Sequence, residues 1–323
     1  LLQKLGVDSD LSALNHFFKS LIEQLPALDL DTELILSNAL IADSQYPILS
    51  SYENTINTYF YSCAENIPFS DASHVISLVN DWCNNNTKGY IPSIIDRLEP
   101  GTVSFLLNSL YFNSLWDSQY LESQVIKGES FFGTDGEQEL DFLSDCLPYN
   151  YSKRNGYQVV EKTLGKEKFG FYILLPDEES DAETLLQTVS TESWNDITNS
   201  LQRKEVSLRI PKFDINSSIS LIEYLKAAGI QKIFEPGVYS GIFEDAEDIT
   251  VNQIYQKSRL AVHEAGTEAA SVTLVSFAET DNGEDETHRP LVFFANRPFV
   301  FVIAEKSSGA ILFNGVFSGN GAD

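Results

Sequence analysis

The stretch from Val103 to Trp116, VSFLLNSLYFNSLW, constrains the fold more than any other part of the chain. It is nearly all apolar, with aromatic and aliphatic side chains following one another and Asn108 set among them. A strand of that composition has to be covered on both faces, so it is expected at the centre of a large sheet with other layers packed on it. On its N-terminal side the pattern is mainly helical. Residues 10–25 place Leu11, Leu14, Phe18, Leu21, Ile22 and Leu25 at helical spacing before Pro26, which predicts an amphipathic helix docked on a core. A second helix is expected over 71–85, with Asp71 at its start and Val75, Ile76, Val79 and Trp82 on one face. Thr32–Ile41 reads as a strand and Tyr52–Tyr61 as a helix.

Beyond Trp116 the pattern turns to strands. Thr134-Asp135-Gly136 lies between two extended runs and predicts a hairpin over Ser130–Leu143. Strands are expected at Tyr157–Lys162, Phe169–Leu175 and Val206–Phe213, a helix at Ser217–Ala228 ended by Gly229, and an extended run over Ile249–Glu264. Three closing strands follow at Leu291–Ala295, Phe299–Ala304 and Ala310–Val316. Without a regular βαβα alternation, Rossmann and barrel architectures are excluded, and the class is α+β with large, mostly antiparallel sheets. No Pro/Gly/Ser-rich linker divides the chain, so residues 1–323 are expected to form a single domain.

Charge and motif content remove most functional classes. The formal net charge of −26 repels phosphate backbones and anionic lipid heads, which argues against nucleic-acid binding and electrostatic membrane attachment. No apolar run approaches the roughly 20 residues of a membrane-spanning helix. Cys63, Cys83 and Cys146 have no metal-ligand spacing and are expected as buried or half-buried thiols. There is no nucleophile elbow, P-loop, dinucleotide fingerprint or HExxH, and the four His are scattered. An enzyme is therefore not expected, nor is any cofactor or metal site. The acidic run at 244–248 lacks the spacing of a calcium loop and reads as a solvated turn.

One segment needs a different explanation. Glu264-Ala265-Gly266-Thr267-Glu268-Ala269-Ala270-Ser271-Val272-Thr273 continues a strand, becomes rich in small residues and passes into the charged run 279–288. A connection this long is usually functional or disordered. At period two, Thr267, Ala269, Ser271 and Thr273 share one face, all small enough to enter a packed sheet.

These residues carry a resemblance. Glu264–Ala270 is similar to the Glu-x-Gly-Thr-Glu-Ala-Ala hinge of the serpins, the serine-protease-inhibitor superfamily. Phe294-Ala295-Asn296-Arg297-Pro298-Phe299 and Gly309-Ala310-Ile311-Leu312-Phe313-Asn314-Gly315 resemble that family's C-terminal signature and closing strand. Asn108–Trp116 is similar to its strand ending in Trp, and Asn80-Asp81-Trp82 through Thr87-Lys88-Gly89-Tyr90-Ile91 to the helix across the front of its main sheet. The five motifs stand in the family's order over essentially the whole chain, and Trp82-Cys83 resembles the wording of bacterial members. Residue 1 falls near the end of the family's third helix, so its three opening helices and a short strand are expected to have no counterpart in this sequence.

The resemblance implies three mostly antiparallel sheets surrounded by helices, with an exposed reactive-centre loop over 264–290. It implies a suicide substrate. A serine or cysteine protease attacks the loop, forms an acyl-enzyme, and is trapped when the cleaved loop inserts into the main sheet. Roughly 15 inserted residues at about 3.3 Å each span on the order of 50 Å. Within the hinge, Glu264, Gly266, Thr267, Glu268, Ala269, Ala270, Ser271 and Thr273 are the implied functional residues. Counting from the hinge puts the bait bond at Thr280–Asp281, with Phe277 as the alternative, and no Lys or Arg nearby suggests a trypsin-like target. Asn108, Trp116 and Gln256 are the implied sheet-opening residues, with Gln256 facing Asn108 where many members have His. The helix at 10–25 offers only Lys19 and His16 as positive groups, so no glycosaminoglycan partner is expected. A monomer is expected, secreted or anchored at the cell surface. A non-inhibitory binding or carrier protein on the same fold is the alternative.

Overall fold

The computed structural model describes residues 10–319, apart from 179, 245, 252–253 and 268–288. In chain order the first elements are Leu11–Gln24 (α1), Thr32–Asp43 (β1), Ser50–Phe60 (α2), Cys63–Ile67 (β2), Ala72–Asn86 (α3) and Ser104–Ser114 (β3). Strands Val125–Gly133 (β4), Gly136–Arg154 (β5), Tyr157–Leu164 (β6) and Phe169–Pro176 (β7) follow. Next come Ala182–Gln187 (α4), Thr191–Asn199 (α5), Gln202–Pro211 (β8), Phe213–Ser220 (β9), Ile222–Ala227 (α6) and Tyr255–Val262 (β10). Leu291–Phe294 (β11), Phe299–Glu305 (β12) and Ile311–Phe317 (β13) close the chain. They form three sheets, ordered β2-β1-β3, β10-β9 and β11-β8-β5-β6-β7-β12-β13, with β4 paired to β5 in the last. The chain divides into two compact units.

The first unit comprises the described residues among 10–28, 33–112 and 216–259. Its core lies where α3 crosses the three-stranded sheet. Val75 and Val79 of the helix pack on Ala39 and Ile41 of β1 and Leu107 of β3, as the spacing of those residues predicts. Asp71 caps α3 by accepting from the His74 amide, 3.1 Å. The Asn80 side chain binds both the Ile94 amide and the Ile95 carbonyl at 2.8 Å, and Thr87 Oγ1 accepts from the Ile91 amide at 3.0 Å. Two residues of the Asn80–Ile91 motif therefore fasten the chain leaving α3. Within this unit β3 belongs to one sheet and β10 to another.

Some expectations need correction here. Ser217–Ser220 lies in β9, and only Ile222–Ala227 is helical, because the alternating Ile215-Asn216-Ser217-Ser218-Ile219 run has the period of a strand. The helix α1 forms, capped by Asp10, but none of its residues is fully buried. It meets α2 through ring contacts of His16 with Tyr59 and Phe18 with Phe60, and Leu11 and Phe17 face outward. None of the three cysteines is in a disulfide, but only Cys83 is buried; Cys63 and Cys146 are exposed.

The second unit comprises the described residues among 29–32, 113–215 and 260–319. Its eight-stranded sheet is antiparallel except for β11 beside β8. The long β5 joins it together, pairing with β4, β6 and β8. β7 and β12 are buried along their whole length, as continuous apolar runs require. Phe213, Phe299, Phe301 and Phe317 pack ring on ring at its heart.

Candidate functional site

The described part of the hinge lies in the second unit, where β3 ends. Gly266 bridges Leu115 in antiparallel fashion, and the Thr267 amide donates to the Ser114 carbonyl at 2.8 Å. Thr267 is buried, and its Oγ1 accepts from the Ser114 amide at 2.9 Å. Gly266 and Thr267 therefore form an isolated bridge to the end of β3. Gly266 is required for this approach, because a Cβ there would stand 2.1 Å from the Ser114 carbonyl oxygen and 2.6 Å from Leu115 Cα. Beneath, Ser114 Oγ and Thr32 Oγ1 lie 2.7 Å apart, and Thr32 donates to Asp29 Oδ2 at 2.7 Å. Gly165 leaves the space for them: with φ of +51°, its Cβ would sit 2.1 Å from Thr32 Oγ1.

Three donors hold the residues just before. The Trp116 amide binds the Ala265 carbonyl at 2.8 Å, the Trp116 indole Nε1 binds the His263 carbonyl at 2.8 Å, and the Tyr120 amide binds the Glu264 carbonyl at 2.9 Å. Trp116 is itself fixed edge-on against Phe171 and bridged to Leu164 of β6. The Glu264 carboxylate pairs with Lys212 at 2.5 Å. Burial works against that carboxylate most strongly, but the hydrogen bond and charge of Lys212 together with a hydrogen bond from the residue's own backbone outweigh it and hold the group below its ordinary range.

The structure thus brings together Trp116, Glu264, Gly266 and Thr267. In the first unit Asn108 donates its side-chain amide to Asn38 at 2.8 Å, and Gln256 is exposed on β10. Glu268, Ala269, Ala270, Ser271, Thr273, Phe277, Thr280 and Asp281 lie outside the described residues. Sequence reasoning missed Ser114, Thr32, Asp29 and Lys212. Only Lys212 left a signal, as the lone cation next to Pro211 at a strand end.

Comparison with known proteins agrees with this geometry. Residues 1–319 match the family described as Serpin (serine protease inhibitor). The chain belongs to the serpin family. It is 29% identical over 87% of its length to intracellular coagulation inhibitor 2 of Tachypleus tridentatus, spanning 69% of that protein. Tengpin, a thermophilic serpin solved in the native state, superposes with a TM-score of 0.88 at 22% identity, covering 98% of this chain and 81% of that one. Thyroxine-binding globulin in complex with thyroxine gives 0.85 at 24% identity, covering 98% and 85%. The two superpositions establish the serpin fold of the chain.

Proposed function

We propose that this serpin is a protease inhibitor that works as a suicide substrate. The seat of Thr267 against Ser114 carries the reading: the hinge is already paired at the end of β3, where an added strand would start. On this reading residues 264–290 are the reactive-centre loop of a single-domain inhibitor. A protease acylated at Thr280, or at Phe277, is carried away as the residues after Thr267 follow it into the sheet. The small uncharged side chains of Ala269, Ser271 and Thr273 support this, since a buried unpaired charge there would stall insertion. The partner is a serine or cysteine protease without trypsin-like preference, met by a monomer outside the cytoplasm. The Tachypleus relative, by contrast, is named as intracellular.

The test is to mix the full chain with a panel of serine and cysteine proteases and run denaturing gels, with mass spectrometry of the released C-terminal peptide. A heat- and detergent-resistant adduct and a peptide beginning at Asp281 are expected. Cleavage without an adduct would sink the reading.

A cavity in the second unit favours the carrier alternative. It is a half-open pocket of about 290 Å³ beside α5 and the start of the β12–β13 turn. The buried Glu161 carboxylate in its wall accepts from Asn150 at 2.7 Å and pairs with Lys306 at 2.6 Å. The buried Trp194 indole N–H, also in the wall, has no hydrogen-bond partner among the described residues. An orphaned buried donor invites an acceptor. A fold relative is titled as a complex with thyroxine, which makes a small amphipathic molecule the class to try. Saturable quenching of Trp194 by such a molecule, lost in Trp194→Phe, would support a carrier; absence of adducts together with such binding would replace the inhibitor.

A further inference from the structure

Lys162 is the most deeply buried cation described, with its side chain 2% exposed, and no part of the inhibitor reading uses it. It projects from β6 into an aromatic enclosure. Its Nζ stands 4.2 Å from the ring centre of Tyr120, 5.2 Å from Tyr149 and 5.4 Å from Trp116. It donates to Tyr149 Oη at 3.1 Å and pairs with Asp145 Oδ2 at 3.6 Å. Tyr149 in turn donates to Asp145, 2.6 Å to Oδ2. Asp145 and Tyr149 face the lysine from β5, and Tyr120 and Asp117 from the segment after β3.

Two of the three rings around this charge belong to the residues that hold the hinge. Trp116 and Tyr120 contribute every donor to the carbonyls of His263, Glu264 and Ala265 described above. Their rings are attracted to a cation in a desolvated enclosure, and weakly if at all to a neutral amine. The Asp117 amide, between them, binds the Thr163 carbonyl next to Lys162 at 3.0 Å, so ring positions and backbone positions are tied together.

We propose that Lys162 is a positioning residue for the hinge: its charge clamps Trp116 and Tyr120, and through their N–H groups it latches residues 263–265 against opening. The proposal deepens the inhibitor reading and rests on it only for its consequence, a hinge whose entry into the sheet depends on pH. Burial lowers the lysine's pKa to about 8, with Asp145 opposing the drop. The same burial raises Asp145, which the lysine's charge partly offsets, and pushes the Tyr149 and Tyr120 phenols up, so the lysine is the group that titrates in mildly alkaline solution. The latch should then open as pH rises through about 8.

Global stability must move the other way. A folded-state pKa below the ordinary 10.5 means that unfolding takes up a proton between about 8 and 10.5, so this group makes the fold more stable as pH rises through that window. Local loosening against global tightening separates a latch from a merely structural lysine.

The experiment follows exchange of the Trp116 indole proton by NMR in the full chain from pH 6.5 to 9.5, corrected for intrinsic base catalysis. Trp82 and Trp194 serve as internal references, and Trp116→Phe assigns the signal. The wild type should show a step of roughly tenfold faster exchange at Trp116 alone, centred near pH 8. Lys162→Arg, which keeps its charge throughout, should exchange slowly with no step, and Lys162→Met should exchange fast with no step. A wild type without the step, a step shared by all three indoles, or a step that survives in Lys162→Arg overturns the latch, and the arginine variant decides the matter even where the methionine variant fails to fold. The readout involves no protease. A chain that forms adducts but shows no step loses only the latch, and one that shows the step but forms no adduct keeps the latch and loses the inhibitor.

Discussion

Thr267 is held by hydroxyl and peptide groups, whereas the carbonyls of His263, Glu264 and Ala265 are held by two aromatic residues packed on a buried charge. The first support is short and neutral until its far end at Asp29. It depends on close approach, which Gly266 and Gly165 permit. The second depends on keeping an ammonium and a carboxylate out of water, with side-chain exposures of 2% and 4%. Taking two charges out of water costs about as much as their attraction returns, so such a pair contributes position more than stability. The contrast separates two tasks at one place: the hydroxyl side defines where an incoming strand must start, and the charged side sets how firmly the chain just before it is held.

The widest gap between the two supports should appear on breaking the ion pair one partner at a time. Asp145→Ala leaves the lysine charge buried without its carboxylate and is expected to cost about 3–5 kcal/mol in urea unfolding. Replacing both, Asp145→Leu with Lys162→Leu, should restore most of that stability while leaving the hinge loose. A double variant as unstable as the single one would show that the pair is needed for the fold itself.

On the neutral side the largest effect should come from shape. Gly266→Val forces a branched side chain into 2.1 Å of clearance from the Ser114 carbonyl and is expected to cost about 3 kcal/mol, at the upper end for overpacking. The sharper readout is adduct yield, which should fall because the first rung against β3 is lost; an unchanged yield would mean that insertion does not start there. Thr267→Val tests the same rung more gently. It strips the Ser114 amide of its acceptor in a buried setting, an expected loss of about 1–2 kcal/mol, visible as faster amide exchange at Ser114.

The two sides were also unequally legible in the sequence. Gly266 and Thr267 stand in a segment whose order of small residues is informative by itself; the apolar run ending at Trp116 marks a strand, but not the fully covered central one expected of it, because among the described residues β3 is the edge of a three-stranded sheet and Leu106 is exposed. Lys162 stands in the sequence only as the last residue of the expected strand Tyr157–Lys162. What buries it is the pairing of β6 with β5, which brings a carboxylate and a phenol across from another strand. No local pattern encodes that meeting. The hydroxyl relay was hidden for the same reason: Thr32, which donates to the nearby Asp29, lies 82 residues before its partner Ser114. The opposite error, the helix expected over Ser217–Ala228, arose from helical spacing at its far end outweighing the strand period at its start.

Glu264 joins the charged support to a separate ion pair, with its carbonyl on the Tyr120 amide and its carboxylate on Lys212, and it should give the smallest effect. The carboxylate is a third exposed and its partner a quarter, so solvent screens the pair and Glu264→Gln is expected to cost under about 1 kcal/mol at neutral pH. The sign of its pH dependence is more telling than its size. Its folded-state pKa lies below 4.5, so the stability it contributes is present above that value and is lost as pH falls through the lower, folded-state value. Lys162 works at the other end of the scale, near 8. A hinge held by both should be tightest between the two, and hydrogen exchange over residues 263–267 should trace a trough in that interval. Glu264→Gln should remove the acid wall of the trough and Lys162→Arg the alkaline one. A single variant that flattened both walls would show that the Lys212 pair and the Lys162 latch act as one.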